Sequence, residues 1–176
     1  MRGIIIYHSK YGAAKEYAQM LAAKTGFSLC ALAGIKAAEL AAYDRVVLCS
    51  GVYVGKIAGL KFLKRHADAL RKKRTAVFAV GLSPADESTL ETLKKNDRSG
   101  TLAQFPLFYG QGAWKGADLK AGDKLLCGML HGMLAKKDPS QYEEPWMRTF
   151  MECYGRSCDF TDEAYLAPLL AWLERP

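Results

Sequence analysis

The residues Ile4-Ile5-Ile6-Tyr7-His8-Ser9-Lys10-Tyr11-Gly12-Ala13-Ala14 decide the fold of this chain. The β-branched run predicts a first strand, which ends in a short polar turn that contains a glycine. A helix over residues 13–25 follows, because apolar residues recur at spacings of three and four from Ala14 to Ala22. The first N–H groups of such a helix have no partner within it, and the helix dipole lies behind them. The turn therefore predicts a phosphate-binding loop.

Two common phosphate motifs are absent from this turn. The chain has neither the Gly-x-Gly-x-x-Gly pattern nor a Gly-Lys-Ser/Thr sequence at this position. The alternative interpretation is an ordinary strand-to-helix turn, in which Gly12 serves only the geometry of the backbone. The turn by itself does not decide between the two.

Length and composition indicate a single domain over residues 1–176. Half of the 176 residues are apolar and 24% are charged, which is typical of a globular chain with a sizeable core. No apolar run approaches the length of a membrane span. The opening Met1-Arg2-Gly3 before three isoleucines is too short for a signal peptide, so we expect a cytoplasmic protein.

The cysteines predict free thiols. There are five, an odd number, and none forms a Cys-x-x-Cys pair, which favours a reducing compartment. Cys153 and Cys158 with His131 match no common zinc pattern, so we interpret the two cysteines as unrelated thiols. No metal site is predicted.

Strands and helices alternate along the chain. Further strands are predicted over 27–32, 44–50, 75–81 and 105–109, and helices over 58–73, 87–96, 122–136 and from Thr161 onward. Pro106 places the fifth strand at an edge or at its own start, and Pro168 kinks the last helix or marks its true start. The alternation predicts an α/β fold: a doubly wound sheet of five parallel strands, in the order 2-1-3-4-5, with helices on both faces.

Two segments are harder to interpret. The predicted helix over 122–136 has a dense stripe of Leu and Met, which we expect to lie in the core. Residues 137–160 are polar and aromatic with no clear period.

The loops that follow the strands lie at one edge of such a sheet and meet one ligand. Glycines there permit close approach to a planar ring, and Tyr53 offers a flat face for stacking. A phosphate loop beside glycine-rich and aromatic loops favours a mononucleotide of the FMN class. The residues predicted to bind it are Ser9, Lys10, Tyr11, Gly12, Ala13, Ala14, Ser50, Gly51, Val52, Tyr53, Val54, Gly55, Gly81, Leu82, Gln111 and Gly112.

These motifs resemble the flavodoxin superfamily, and within it the flavodoxin-domain branch that includes menaquinone-dependent protoporphyrinogen oxidase. The resemblance covers nearly the whole chain, apart from residues 85–104. The matching stretches are Tyr7-His8-Ser9-Lys10-Tyr11-Gly12-Ala13-Ala14-Lys15-Glu16-Tyr17-Ala18, Tyr43-Asp44-Arg45-Val46-Val47, Gly51-Val52-Tyr53-Val54-Gly55-Lys56 and Asp159-Phe160-Thr161-Asp162.

The resemblance implies a flavodoxin-like fold and an FMN whose phosphate lies in Ser9–Ala14 and whose ring lies between the other loops. It also implies that the peptide Ser50–Gly51 turns over to hydrogen-bond the reduced ring. The chain departs from the family at Tyr11 and Ala14, where hydroxyl residues are usual. Each missing hydroxyl removes a hydrogen bond to the phosphate worth about 1.5–3 kcal/mol. Lys10 either compensates for this loss by its charge or points into the solvent.

Charge is concentrated between Lys56 and Arg74. Eight basic residues lie there against one acidic residue, Asp68, an excess of seven that equals the net charge of +7. The stretch is either a solvated helix face or a docking face for an anionic membrane surface, an acidic protein or a carboxylate substrate. A nucleic-acid partner is not expected, because the basic stretch matches no recognised nucleic-acid-binding motif with interleaved aromatic residues.

The resemblance implies an FMN-dependent redox protein whose acceptor, a redox partner protein or a quinone, is not identified. One alternative is a protoporphyrinogen oxidase-like, quinone-linked dehydrogenase. Another is a flavodoxin fold that has lost its flavin and acts as a binding module. No acid/base pair or nucleophile stands out, so no catalytic residue is predicted.

Overall fold

The centre of the fold is a parallel sheet whose inner strands are buried on both faces. A computed structural model describes residues 2–97 and 99–175 of the protein. The strands are β1 (Gly3–His8), β2 (Ser28–Ala31), β3 (Arg45–Tyr53), β4 (Lys56–Ile57), β5 (Arg74–Gly81), β6 (Leu107–Gln111), β7 (Ala113–Lys115) and β8 (Ser157–Asp159). The helices are α1 (Ala13–Thr25), α2 (Leu60–Arg65), α3 (Ala67–Leu70), α4 (Glu87–Asn96), α5 (Ala121–Leu134), α6 (Pro145–Cys153) and α7 (Ala167–Glu174).

The order of the sheet is β2-β1-β3-β5-β6, with every neighbouring pair parallel. This order confirms the predicted doubly wound α/β fold. The short strand β4 is an addition, because it pairs antiparallel with the end of β3. Strand β6 begins directly after Pro106 and forms the edge, so both roles predicted for that proline are present.

Alternate residues of the central strands fill two separate cores. Ile5, Val47 and Phe78 pack on one side against residues of α1 and α7. Their neighbours Ile4, Val46 and Val77 pack on the other side against residues of α2, α3 and α4. The near-continuous apolar strands that were visible in the sequence are therefore buried on both faces, as parallel strands are.

Several element boundaries differ from the prediction. The helix predicted over 58–73 is two short helices, α2 and α3, which meet at His66. Pro168 lies in the first turn of α7 and marks its true start, after a 3₁₀ turn at Glu163–Leu166. The segment 137–160, which showed no period, contains α6 and β8. Strand β8 pairs antiparallel with β7 in a small separate sheet.

The apolar stripe of α5 does not lie in the core, and that prediction is wrong. Leu125, Leu126, Met129 and Met133 are each between 54% and 68% exposed, whereas Leu134 is buried. The period of a helix shows that one face is apolar, but it does not show what covers that face. The main packing partner of helix α5 is α6.

Cys153 and Cys158 form a disulfide with their Cα atoms 5.9 Å apart, so the prediction of free thiols is wrong for this pair. Cys30, Cys49 and Cys127 are free. The disulfide joins the end of α6 to β8, and it excludes the two sulfurs as ligands of a metal. It also removes one ground for expecting a reducing compartment.

No helix within the described ranges is long and apolar enough to cross a membrane.

The turn between β3 and β4 has an unusual backbone. Val54 and Gly55 have φ angles of 51° and 71°, so both residues are in the left-handed region. Tight hairpin turns of this kind favour Asn-Gly, whereas a β-branched residue at positive φ is strained. Val54 is 77% exposed, so little packing offsets the strain.

The hydroxyl group of Tyr17 connects three parts of the chain. Tyr17 is fully buried on α1 and donates to the carbonyl oxygen of Gln111 at 2.6 Å. It also accepts a hydrogen bond from the backbone N–H of Asp162 at 3.1 Å. Helix α1, the end of β6 and the turn before α7 are thereby held together, and burial raises the pKa of Tyr17 to about 12.

We expect Tyr17→Phe to lower the free energy of unfolding by about 1–3 kcal/mol, because it leaves the buried carbonyl of Gln111 without its partner and removes the acceptor of the Asp162 N–H. Urea denaturation followed by circular dichroism measures the change. The matched control is Tyr7→Phe, which removes the hydroxyl of a half-buried tyrosine that makes no side-chain hydrogen bond within the described residues. An equal loss in both variants would contradict the connecting role of Tyr17.

The same residue predicts a pH dependence. Its pKa is raised in the folded state, so the unfolded chain releases the proton first, near its ordinary value of about 10. The stability that Tyr17 contributes is therefore fully present below about pH 10 and is lost as the pH rises towards 12. Between about pH 10 and pH 12, the free energy of unfolding should therefore fall less steeply with pH for Tyr17→Phe than for the unaltered protein. Urea denaturation at a series of pH values in this range measures the difference.

We expect Val54→Asn to stabilise the protein by about 1 kcal/mol, because asparagine tolerates the left-handed backbone and matches the turn. Thermal and urea denaturation measure the effect. Val52→Asn is the control, since Val52 lies in β3 and packs against the core. That variant should destabilise the protein. A loss of stability in Val54→Asn would show that Val54 is not strained.

Candidate functional site

The loops at the carboxyl edge of the sheet surround a cavity of about 300 Å³. This volume lies within the range of small-molecule sites. Thirteen of the residues predicted to bind a ligand line it: Ser9, Lys10, Tyr11, Ala13, Ala14, Gly51, Val52, Tyr53, Val54, Gly55, Gly81, Leu82 and Gly112.

The remaining three predicted residues do not line the cavity. Gly12 is the residue before α1, and its backbone N–H donates to Ser9 Oγ at 3.0 Å. Ser50 is fully buried and donates to the carbonyl oxygen of Ala58 at 2.7 Å. Gln111 Nε2 donates to the carbonyl oxygen of Leu82 at 3.0 Å and so holds that loop in place. All three support the site without facing it.

The register of the parallel strands explains why these loops meet. His8 is paired with Ser50, and Gly51 with Val80. On the next strand Gly81 is paired with Gln111. The central strands therefore end at similar heights, and each passes directly into a loop or turn of the site.

The loop before α1 has the geometry of an anion site. Gly12 has a φ angle of 102°, which lets the chain reverse sharply before the helix begins at Ala13. The first N–H groups of α1 have no partner within the helix, and the positive end of its dipole lies here. An anionic group at this end of α1 is therefore stabilised by the backbone itself.

A carboxylate from α5 already contacts this loop. Asp123 lies in the first turn of α5, and its Oδ2 is 2.5 Å from Lys10 Nζ. The Tyr11 hydroxyl donates to the same oxygen. The carboxylate of Asp123 thus neutralises the positive charge of Lys10 in this loop. Sequence reasoning missed this contact, because Asp123 is 112 positions from Tyr11 and lies in a helix with no other sign of function.

Tyr53 lies across the loop rather than standing free as a stacking surface. Its hydroxyl oxygen accepts a hydrogen bond from the backbone N–H of Lys10 at 2.7 Å. Burial raises the pKa of Tyr53, so the hydroxyl stays protonated. A Cβ placed on Gly51 would lie 2.5 Å from the Tyr53 hydroxyl oxygen, so glycine at this position permits the close approach of the ring.

The peptide Ser50–Gly51 lies inside β3 and is not free to turn over. The carbonyl oxygen of Gly51 accepts a hydrogen bond from the N–H of Ala58 at 3.0 Å, and Gly51 is paired with β5. The expectation of an easily turned peptide at this position is therefore wrong. β3 extends three residues beyond its predicted end, and the turn at the cavity is formed by Val54 and Gly55.

An aromatic wall that sequence reasoning missed closes the other side of the cavity. Trp114 and Phe150 pack edge to face with ring centroids 5.2 Å apart. Trp146 packs against Phe150 in the same way at 6.2 Å. The only sequence signal was the aromatic content of residues 137–160, which carried no period.

Two buried polar atoms in this wall lack partners. Trp114 Nε1 and Glu144 Oε2 make no hydrogen bond within the described parts of the chain, and both residues line the cavity. An unpaired donor and an unpaired acceptor beside a cavity are available to a ligand with polar edges. Together they favour a ligand that is largely apolar but carries hydrogen-bonding groups at its rim.

One further charged group, Lys115, and one thiol belong to the cavity. Its charged lining residues are Lys10, Lys115, Asp123 and Glu144, so positive and negative charges balance. Cys127 also lines it, and burial raises the pKa of its thiol. A raised pKa keeps this cysteine protonated, which does not favour a nucleophilic role.

The basic stretch between Lys56 and Arg74 lies away from the cavity, and none of its Lys or Arg side chains lines it. Three of them make structural contacts. Arg71 donates to Gln104, Lys73 donates to the carbonyl oxygen of Tyr43, and the Arg74 guanidinium lies 4.2 Å from the ring centroid of Trp172. Part of the positive charge therefore serves packing.

The chain is similar to several solved structures at low sequence identity. A flavodoxin from the domain Archaea shares 15% identity, covers 62% of this chain and 78% of its own, and has a TM-score of 0.42. The Trp repressor binding protein of Bacillus subtilis shares 15% over 63% and 85%, with a TM-score of 0.47. Flavodoxin 2 of Bacillus cereus shares 22% over 63% and 84%, with a TM-score of 0.43. No curated protein matches the chain.

One protein family matches most of the sequence. The match is to the family described as Flavodoxin domain, and it extends over residues 4–142. It includes the loop before α1 and the other strand-end loops around the cavity, as well as α5. This chain therefore belongs to the flavodoxin-domain family.

Proposed function

We propose that this protein is a single flavodoxin-like domain over residues 1–176 that binds FMN and passes electrons to a redox partner. The observation that carries the proposal is the cavity, where an anion site at the start of α1 adjoins an apolar and aromatic chamber. FMN has the same division, since a charged phosphate is joined to a planar ring with polar edges. When bound, the flavin supplies the redox chemistry, and the protein supplies binding and orientation.

The proposal assigns roles to the predicted residues. Those before and at the start of α1 hold the phosphate: Ser9, Lys10, Tyr11, Gly12, Ala13 and Ala14. Those at the ends of the other strands surround the ring: Gly51, Val52, Tyr53, Val54, Gly55, Gly81, Leu82 and Gly112. Ser50 and Gln111 hold these loops in place through their hydrogen bonds to Ala58 and Leu82. The structure adds Trp114 and Glu144, whose unpaired polar atoms suit the rim of the ring.

Glycine at two of these positions supports the fit. A Cβ on Gly81 would lie 2.9 Å from the Tyr109 hydroxyl oxygen, and a Cβ on Gly112 would lie 2.9 Å from Val80 Cγ1. These strand ends are packed so closely that larger residues would displace the cavity wall. The close packing brings backbone groups to the edge of the chamber, where a planar ligand contacts them.

The enzyme alternative draws less support from the site. A porphyrinogen carries several carboxylates, whereas the cavity presents Asp123 and Glu144 beside its two lysines. The partner therefore stays general: a redox protein or a quinone, with a cytoplasmic location proposed from the sequence. The flavin-free alternative rests on the contacts of Asp123, which occupy Lys10 and Tyr11.

The test is a titration with FMN and, in parallel, with riboflavin, after any bound flavin has been removed from the purified protein. Riboflavin carries the same ring without the phosphate, so the two ligands separate the chamber from the anion site. Tight uptake of FMN with quenched flavin fluorescence, and weaker uptake of riboflavin, is the expected result. If neither flavin binds, the flavin-free binding module is the better account.

We expect Asp123→Asn to strengthen FMN binding about tenfold, because it removes a negative charge that competes with the phosphate for Lys10. Riboflavin affinity should change little, since that ligand brings no charge to the loop. The fluorescence titration described above measures both. The matched control is Asp118→Asn, which neutralises an exposed acid shortly before α5 that does not line the cavity.

A decrease in FMN affinity for Asp123→Asn would contradict this interpretation. Asp123 would then act by positioning Lys10 for the phosphate rather than by competing with it. Equal changes for FMN and riboflavin would instead indicate that α5 has moved and altered the chamber.

A further inference from the structure

Helix α5 carries most of the large apolar surface that the described residues leave exposed. Seven large hydrophobic side chains are exposed there: Leu29, Val54, Leu125, Leu126, Met129, Met133 and Tyr154. Four of the seven belong to α5 and lie on one face of that single helix. We call these four residues the α5 face. A contiguous exposed patch of this kind marks an interaction site in a folded protein.

Positive charge lies at both ends of the α5 face. Lys120 precedes the helix, and Lys136 and Lys137 follow it, all exposed to solvent. Between residues 115 and 137 the chain has five lysines and two aspartates, and one of the two, Asp123, is paired with Lys10. An apolar helix face with lysines at its ends matches a surface that is apolar inside and anionic outside.

We propose that the α5 face docks on an anionic lipid bilayer. Leucine and methionine side chains enter the region between the headgroups and the acyl chains, while the flanking lysines contact anionic headgroups. This inference concerns a different surface from the basic stretch between Lys56 and Arg74. The docking itself does not depend on the proposed function, which enters only where FMN is taken as the ligand of the cavity.

The same charges disfavour a second copy of the chain as the occupant. An antiparallel pair of α5 helices would place Lys120 of each copy beside Lys136 and Lys137 of the other. A parallel pair would place each lysine beside its own counterpart. Both arrangements bring like charges together around an apolar contact, whereas an anionic bilayer neutralises them.

The docked orientation would bring the mouth of the cavity to the lipid. Leu126 belongs to the α5 face and also lines the cavity, as do Cys127 and Leu130 on the inner side of the same helix. The α5 face therefore adjoins the apolar lining of the chamber, which also includes Trp146.

Sedimentation with vesicles tests the docking directly. The probes are vesicles of mixed phosphatidylcholine and phosphatidylglycerol, and vesicles of phosphatidylcholine alone. The protein should bind the mixed vesicles, and added salt should weaken the binding because it screens the lysines. The combined variant Leu125→Gln, Met129→Gln and Met133→Gln should bind about tenfold more weakly, since each substitution removes apolar area that enters the lipid.

The three substituted residues do not line the cavity, and glutamine preserves helix propensity. Circular dichroism and the FMN titration without vesicles should therefore be unchanged in the combined variant, which separates a failure of docking from a failure of the proposed function. The matched control is Lys61→Gln with Lys64→Gln and Lys72→Gln in the other basic stretch. This control should bind the mixed vesicles as the unaltered protein does.

Tryptophan quenching by lipids with brominated acyl chains reports which side faces the bilayer. Trp114 and Trp146 line the cavity together with residues of α5, whereas Trp172 packs against Arg74 and does not line the cavity. Quenching should persist in Trp172→Phe and should fall when Trp114 and Trp146 are replaced by phenylalanine.

Three outcomes would overturn the proposal. The first is no binding to mixed vesicles. The second is loss of binding in the Lys61, Lys64 and Lys72 control with full binding by the α5 variant. The third is a dimer in sedimentation velocity that the α5 variant dissociates, which would assign the face to a second copy.

Discussion

The buried hydroxyl group of Tyr17 joins the parts of the chain on which the site depends. It binds the carbonyl oxygen of Gln111 at the end of β6 and the N–H of Asp162 before α7, while its own backbone belongs to α1. The loop before α1, the edge strand and the C-terminal return of the chain are therefore held in one arrangement. Because Gln111 is buried, its carbonyl oxygen finds no water if the hydroxyl is lost.

The parallel sheet then places the other components. In such a sheet the carboxyl ends of the strands share one edge, so the binding loops need no further contacts to meet. What the sheet does not supply is the far wall of the cavity. That wall comes from residues 113–153, which fold against the strand ends through an aromatic cluster centred on Phe150. The core of the fold and the enclosure of the site thus have separate physical origins.

Much of the fold was predictable because its signals are local. Buried parallel strands read as β-branched runs, Pro106 marks an edge strand, and the turn at Gly12 opens a helix. The strand-end loops followed from topology alone. The α5 stripe, the contact of Asp123 with Lys10 and the disulfide between Cys153 and Cys158 were not predicted correctly. Each depends on how segments that lie outside the sheet pack, and the period of a sequence carries no information about such packing.

The boundary of β3 shows the same limit at a smaller scale. Its predicted end is Ser50, but pairing with β5 continues to Gly51, and antiparallel pairing with β4 carries the strand to Tyr53. The strand end moved by three residues, and the turn at the cavity lies at Val54–Gly55 rather than at Ser50–Gly51. Pairing with β4, a strand of two residues that the sequence pattern did not predict, decided the end of this element.

The position of α7 has a consequence for how the chain is made. Leu169 and Leu173 cover the same face of the sheet as α1, together with Leu166 from the preceding turn. At translation rates of about 5–20 residues per second, these leucines emerge roughly 10–30 s after β1. During that interval α1 alone shields Ile5, Val47 and Phe78. A nascent chain therefore presents an incompletely covered apolar sheet, which is the kind of surface that chaperones bind during synthesis.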